Sequence, residues 1–302
     1  MSLPQDPRWP RAAHWLSSGK SVGAELVVLG IPAHETSISP TNANHTPAAI
    51  REALLRFSTY DIQSQQDIHD LKVFDAGDVA SPDHFEGELR VRDAIQNLPQ
   101  DYSLLCALGG DNSITYSAMH GLFGDGLSSA GLITFDAHFD LRDGISNGSP
   151  VFRLVQAGLK PENIVQIGIA DFSNSPEYAA RARELGITVV SRADIRHDGI
   201  EAVVTSALAK LTKNVKDIYV DIDVDVCDRS VVPACPAAAP GGISADELRI
   251  AARLVGGHLN VKAFDITEID ALSDSSDQRT VRLAALLILE AAAGRLRSLR
   301  SR

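Results

Sequence analysis

A chain of 302 residues, 44% hydrophobic and 22% charged, has the make-up of an ordinary globular protein and the length for one large domain or two small ones. Its 39 acidic against 28 basic residues give a formal net charge of −11, which argues against a nucleic-acid groove and leaves no basic anchor for an acidic membrane. Three cysteines (Cys106, Cys227 and Cys235), an odd number with no close pair, fit a reduced cytoplasmic chain better than a disulfide framework.

Residues 1–22, with Pro4, Asp6, Pro7, Arg8, Pro10 and Arg11, read as a polar arm without the apolar core of a signal peptide, which leaves 23–302 as a single domain. Apolar runs at 25–31, 103–108, 131–135, 163–169, 187–190, 217–226 and 261–269 predict strands. Helical spacing predicts the crossovers at 46–57, 113–123, 150–158, 175–185, 200–211 and 244–254, and a long final helix over 278–299. Thr46 before Pro47, and Ser244 before Asp246 and Glu247, are expected helix N-caps. The stretch 283–294 is too short to span a bilayer, and neither a linker nor an internal repeat interrupts the alternation. Runs rich in Val, Ile and Leu alternating with helices predict an α/β three-layer αβα sandwich with a mostly parallel central sheet. In such sheets ligands gather beyond the carboxyl ends of the strands.

Two acidic clusters stand at such ends. Asp136, His138 and Asp140 follow the run 131–135, and Asp221, Asp223 and Asp225 follow Val220. Residues two apart in extended backbone face the same side. Carboxylates with one imidazole suit Mn²⁺, Fe²⁺, Zn²⁺ or Co²⁺. Acids packed this closely repel one another unless cations or donors offset them. Taken singly, the first cluster also reads as a solvated turn and the second as an acidic edge strand. An Asp-x-Asp after a strand further opens the nucleophile motif of haloacid-dehalogenase-like phosphatases, although there it stands near the start of the fold. Together, the two clusters can build a paired-metal site that activates a water near neutral pH.

In order along the chain, Gly109-Gly-Asp-Asn-Ser113, Asp136-Ala-His-Phe-Asp140, Asp221-Ile-Asp-Val-Asp225 with Asp228, and Asp265-Ile-Thr-Glu-Ile269 resemble the ureohydrolase family of arginases, agmatinases and formimidoylglutamases. The resemblance implies an arginase-like fold and two Mn²⁺ per subunit. One ion would sit on Asn112, Asp136, Asp140 and Asp223, and the other on Asp136, His138, Asp223 and Asp225. It also implies that Asp140 serves the bridging hydroxide and the leaving amine, that Glu268 grips the cationic amidine, and that the subunits assemble as trimers or hexamers. The family usually has histidine where Asn112 stands, and an amide oxygen is the weaker ligand. Asn147 occupies the position of the arginases' proton-shuttling histidine and cannot titrate.

Arg142 and Arg153, with Asn147 between them, suggest a pocket for a carboxylate-bearing substrate. The segments around Phe57, Phe172 and Cys235 also look like formimidoylglutamases. The expected activity is therefore hydrolysis of N-formimidoyl-L-glutamate to L-glutamate and formamide, with no nucleic-acid or membrane partner. Another amidine or guanidine hydrolase, and a non-catalytic metal-binding or regulatory relative, are the alternatives. Arg142 and Arg153 could instead pair with the surrounding aspartates or a neighbouring subunit. His34, after the first strand, could reach the pocket, and the cysteines near the second cluster read as buried rather than catalytic.

Overall fold

The runs Leu26–Ile31, Leu104–Gly109, Ala130–Phe135 and Ile164–Ile169 are buried at every position, as strands are when both faces of a parallel sheet are covered. The computed structural model, which describes residues 6–99 and 101–301, places them in one eight-stranded parallel sheet. The chain begins with α1 (Ala12–Ser17), β1 (Leu26–Ile31), α2 (Thr46–Ala53), a small antiparallel hairpin of β2 (Tyr60–Asp61) and β3 (Gln66–Asp67), and β4 (Val73–Asp78). It continues through α3 (His84–Gln96), β5 (Leu104–Gly109), α4 (Ile114–Phe123), β6 (Ala130–Phe135), α5 (Pro150–Gln156), β7 (Ile164–Ile169), α6 (Pro176–Leu185) and β8 (Thr188–Ser191). The last third holds α7 (Arg192–Asp198), α8 (Ile200–Leu211), β9 (Asp217–Asp223), α9 (Ala245–Gly257), β10 (Val261–Thr267) and α10 (Arg279–Arg300).

The sheet order is β4-β1-β5-β10-β9-β6-β7-β8. The chain builds β4, β1 and β5 on one side, then β6, β7 and β8 on the other, and finally fills the gap with β9 and β10. The four central strands β5, β10, β9 and β6 therefore meet where the winding changes direction, and their carboxyl ends open onto a crevice. Register fixes the details: Asp221 lies opposite Asp265 and Thr134, and Thr267 opposite Asp223. One apolar layer joins the sheet to α1, α2 and α7–α10, and the other joins it to α3–α6.

Several sequence expectations change. The 217–226 run stops as a strand at Asp223, and Val224–Val226 coils into a 3₁₀ turn. Edge strand β4 and helices α3 and α7 fall on segments with no strong periodic signal. Part of the expected polar arm is apolar, since Trp15 and Leu16 of α1 are buried and the Trp15 indole N–H donates to the Leu71 carbonyl at 3.0 Å. Ser244 caps α9 in a reciprocal box with Glu247, as its spacing suggests. Thr46 does not cap α2; its hydroxyl donates to the Ile269 carbonyl and ties the helix to the site loop.

Candidate metal centre

Asp136 extends β6 by one residue, its N–H donating to the Ile167 carbonyl at 3.0 Å, so its carboxylate enters the crevice from a fully buried strand end. The next turn is locked from two directions. Asn174 accepts from the Phe139 N–H at 3.0 Å and donates to the Ala137 carbonyl at 2.9 Å, while the Ala137 N–H donates to Asp225 Oδ1 at 2.8 Å. Asp223 Oδ1 in turn accepts the Asp225 N–H at 2.8 Å, which sets the 3₁₀ turn that brings Asp225 across to β6. Behind that turn, buried Arg192 donates to the Asp225 carbonyl at 2.9 Å.

The result is a compact donor group. Ligand atoms of Asp136, His138 and Asp225 lie within 4.8 Å of one another. His138 Nδ1 is 2.7 Å from Asp225 Oδ2 and 3.5 Å from Asp136 Oδ1. Asp136 Oδ2 is buried with no hydrogen-bond partner among the described residues. Hard oxygens around one imidazole, with an orphaned carboxylate oxygen, fit a divalent cation.

Asp221 lies deeper, fully buried against Asp265 and outside this group. Asp265 accepts from Tyr219 at 2.8 Å and from Thr115 at 2.9 Å.

Electrostatics report the same crowding. Burial, then the charges of Asp140 and Asp225, push Asp136 well above the ordinary carboxylate range. Asp223 is driven up by burial, Asp225 and Asp136. Burial raises Asp140 to about 7, with His138 opposing. Burial works to lower the His138 pKa, but the hydrogen bond and charge of Asp225 outweigh it and hold it at about 9. Asp225 itself is pulled up by burial and brought below its usual value by His138. Acids this crowded retain protons unless a cation takes their place, and a divalent ion would offset the same carboxylates.

Asn112 is brought to this centre with its amide nitrogen toward it. Its Nδ2 donates to Asp140 Oδ2 at 2.5 Å, while Oδ1 faces the hydroxyls of Thr267 at 2.9 Å and Thr115 at 3.1 Å. Glu268 stands beside it, with Oε1 accepting from the Asn112 N–H at 2.7 Å and from Asn147 Nδ2 at 2.9 Å. Burial, then the charge of Asp111, lift Glu268 to about 8. Asp140 and Glu268 both hold positive φ, +53° and +65°, a conformation that non-glycine residues keep only where the surrounding structure enforces it.

A cavity of about 340 Å³ lies above, lined by His138, Asp140, Asp223, Asp225 and Glu268 and, on its walls, by Arg142, Asn147, Ser173, Ser175 and Tyr178. Asn147 links Glu268 to the 36–38 loop by accepting from the Ile38 N–H at 3.0 Å. Arg142 is exposed, and no carboxylate pairs with it among the described residues.

Arg153 does not line this cavity. Its guanidinium makes two bonds to Glu88, at 2.7 and 2.9 Å, and stacks 3.7 Å above the Tyr116 ring, so its charge is neutralised inside the α3–α5 layer. Glu88 lies 65 residues away, beyond the reach of any local spacing. His34 likewise faces Asp83 at 3.4 Å, and the cysteines are free and buried. Thr115, Thr267, Asn174, Arg192 and Tyr219 were not foreseen. Their roles depend on contacts between elements far apart in the chain, which spacing along one strand cannot reveal.

The sequence profile of the arginase family matches residues 24–294. A formimidoylglutamase of Halalkalibacterium halodurans is 36% identical over 272 residues, spanning 87% of this chain and 84% of that protein. The crystal structure of formimidoylglutamase from Bacillus subtilis has a TM-score of 0.90 at 29% identity, covering 97% of this chain and 94% of its own. Trypanosoma cruzi formiminoglutamase with Mn²⁺ shares the fold, with a TM-score of 0.85 at 23% identity over 95% of this chain and 98% of that one. No helix among the described residues is long and apolar enough to cross a membrane. With its profile match, its sheet order and its carboxylate centre in agreement, the chain belongs to the arginase family.

Proposed function

We propose that the chain hydrolyses N-formimidoyl-L-glutamate to L-glutamate and formamide. The observation that carries this reading is the cavity itself, with a carboxylate-rich metal centre at its floor and the unpaired guanidinium of Arg142 on its wall. An amidine end suits the first and a carboxylate end suits the second. The 36% identity to a formimidoylglutamase supports the same substrate.

In this reading two Mn²⁺ are held per chain. Asp136, His138, Asp223 and Asp225 hold one, and Asn112, Asp136, Asp140 and Asp223 hold the other. When bound, the ions supply a water that is acidic enough to attack near neutral pH. Glu268, fixed by Asn112 and Asn147, pairs with the planar amidinium and presents its carbon to the floor of the cavity. Oxygen adds to that carbon, and the bond to the glutamate nitrogen breaks. Asp140, which lines the cavity within reach of the attacking water, passes a proton of that water to the departing amine. Arg142 forks to a substrate carboxylate and keeps the chain in register. With Arg153 tied to Glu88, one guanidinium rather than two serves the substrate.

The amide nitrogen that Asn112 turns to Asp140 favours a second reading, a relative that holds one ion and does not hydrolyse. Metal content per chain, measured alongside formamide and urea release from formimidoylglutamate, agmatine and arginine, tests both. Two ions with formamide support the proposal; one ion with no product supports the rival.

A further inference from the structure

We infer that Thr115 is a positioning residue that turns the oxygen of the Asn112 amide toward the metal centre, so that a position without histidine's nitrogen still supplies a ligand atom. The inference rests on the proposed reading of Asn112 and Asp140 as ligands of one ion, and it concerns what decides which end of the amide faces that ion.

The Thr115 hydroxyl has one proton and two acceptors within reach, Asn112 Oδ1 at 3.1 Å and Asp265 Oδ2 at 2.9 Å. A carboxylate is the stronger acceptor, so the proton goes to Asp265. Asp265 is fully buried and held in place on β10, with Tyr219 OH on the same oxygen at 2.8 Å and the Ile222 N–H 3.3 Å from the other. Thr115 therefore presents lone pairs to Asn112. An amide oxygen facing them gains no hydrogen bond, whereas an amide NH₂ in the same place donates one.

The two ends of an asparagine amide have nearly the same shape, so a half-turn exchanges them without repacking. That half-turn lets the NH₂ donate to Thr115, and it gives up the bond that the Thr267 hydroxyl donates to Oδ1 at 2.9 Å. It also sets the amide oxygen against Asp140 Oδ2, the atom that Nδ2 contacts at 2.5 Å. Two oxygens that close repel unless a cation lies between them. Asp140 and Thr115 thus compete for the NH₂, and a cation ends the competition in favour of Thr115. Asn112 is 1% exposed, so water cannot substitute for either partner. Thr115 is the second residue of α4, three residues after Asn112, which keeps its hydroxyl under the amide.

The test is Mn²⁺ titration of the metal-stripped full chain by calorimetry, with electron paramagnetic resonance separating isolated ions from exchange-coupled pairs. Wild type is expected to bind two ions with a coupled spectrum. Thr115→Val, which keeps the shape and removes the oxygen, should retain one ion and bind the other roughly tenfold more weakly, the scale of one lost hydrogen bond. Thr115→Ser restores the oxygen and should restore the second ion. Unchanged binding in Thr115→Val overturns the inference, as does a Thr115→Ser variant that fails like the valine. A wild type that binds one ion also overturns it while leaving the Asp136, His138 and Asp225 site standing. A wild type that binds none overturns the proposed metal centre itself, and the inference with it. Should Thr115→Val not fold, Thr115→Ala removes the same oxygen with less bulk. A tenfold loss at one ion is again expected there, and unchanged binding counts against the inference.

Discussion

The two sides of the metal centre are built from different kinds of information. On the His138 side, Asp136, His138 and Asp225 converge within 4.8 Å because each sits at or just beyond the end of a buried strand, on two adjacent strands. On the Asn112 side the decisive feature is which end of an amide faces Asp140, and that depends on Thr115, Thr267 and Asp265. Alternation along a strand is enough to build the first side. The second needs a hydrogen-bond network that crosses from α4 to β10, and it is the more easily lost.

The sharpest way to break this comparison is to remove the cations. Chelation should abolish activity and added Mn²⁺ restore it; turnover that persists without metal would remove the basis for both sides. Next, Asp140→Asn should lower kcat by about 10²- to 10⁴-fold, the usual contribution of a positioned acid, while the His138-side ion still binds in calorimetry. Loss of both ions in that variant would show that the two sides are a single unit. Arg142→Ala should raise KM for carboxylate-bearing substrates by roughly 10- to 100-fold, the scale of a charged hydrogen bond. An unchanged KM would remove the guanidinium from the specificity argument.

Acidity gives a further contrast. Asp140 at about 7 and Glu268 at about 8 hold protons in the fold that the unfolded chain has released above their ordinary values of 3.8 and 4.5. Between about pH 4 and 8 the folded state therefore binds more protons, and stability falls as pH rises. Metal-stripped protein should melt at a lower temperature at pH 8 than at pH 5, and Mn²⁺ should narrow the gap. A Tm independent of pH in the stripped protein would contradict the crowding described here. Arg153→Met strands the buried Glu88 carboxylate and should cost about 3 kcal/mol of stability while leaving KM unchanged. A raised KM would return Arg153 to the substrate.

Much of this architecture can be read from the chain alone, and what cannot be read shares one cause. Continuous apolar runs announce β1, β5, β6 and β7 because burial on both faces leaves no room for polar residues. Strand β4 is an exposed edge whose Asp75 and Asp78 are paired with Arg51 of α2, so its text reads as a loop. In α3, the buried Val91 and Ile95 stand among charged neighbours and Gly87 packs against the Pro82 backbone, which blurs the helical period. In the centre, residue types at strand ends identify the carboxylates and His138. They say nothing of the left-handed backbone at Asp140 and Glu268 or of the threonines beneath Asn112, since both arise where four strands meet. Arg153 departs from its expected place for the same reason: proximity in sequence to the site suggests a substrate-binding cation, and tertiary packing delivers it to Glu88.

The central claim is that the floor of the cavity cleaves an amidine while its wall selects a carboxylate. Product analysis of the Mn²⁺-loaded protein with N-formimidoyl-L-glutamate, alongside agmatine and arginine, tests it most directly. Formamide and glutamate in equal amounts, with no urea from the other two substrates, is the predicted result. Urea release, or no product from formimidoylglutamate while Mn²⁺ is bound, would contradict it.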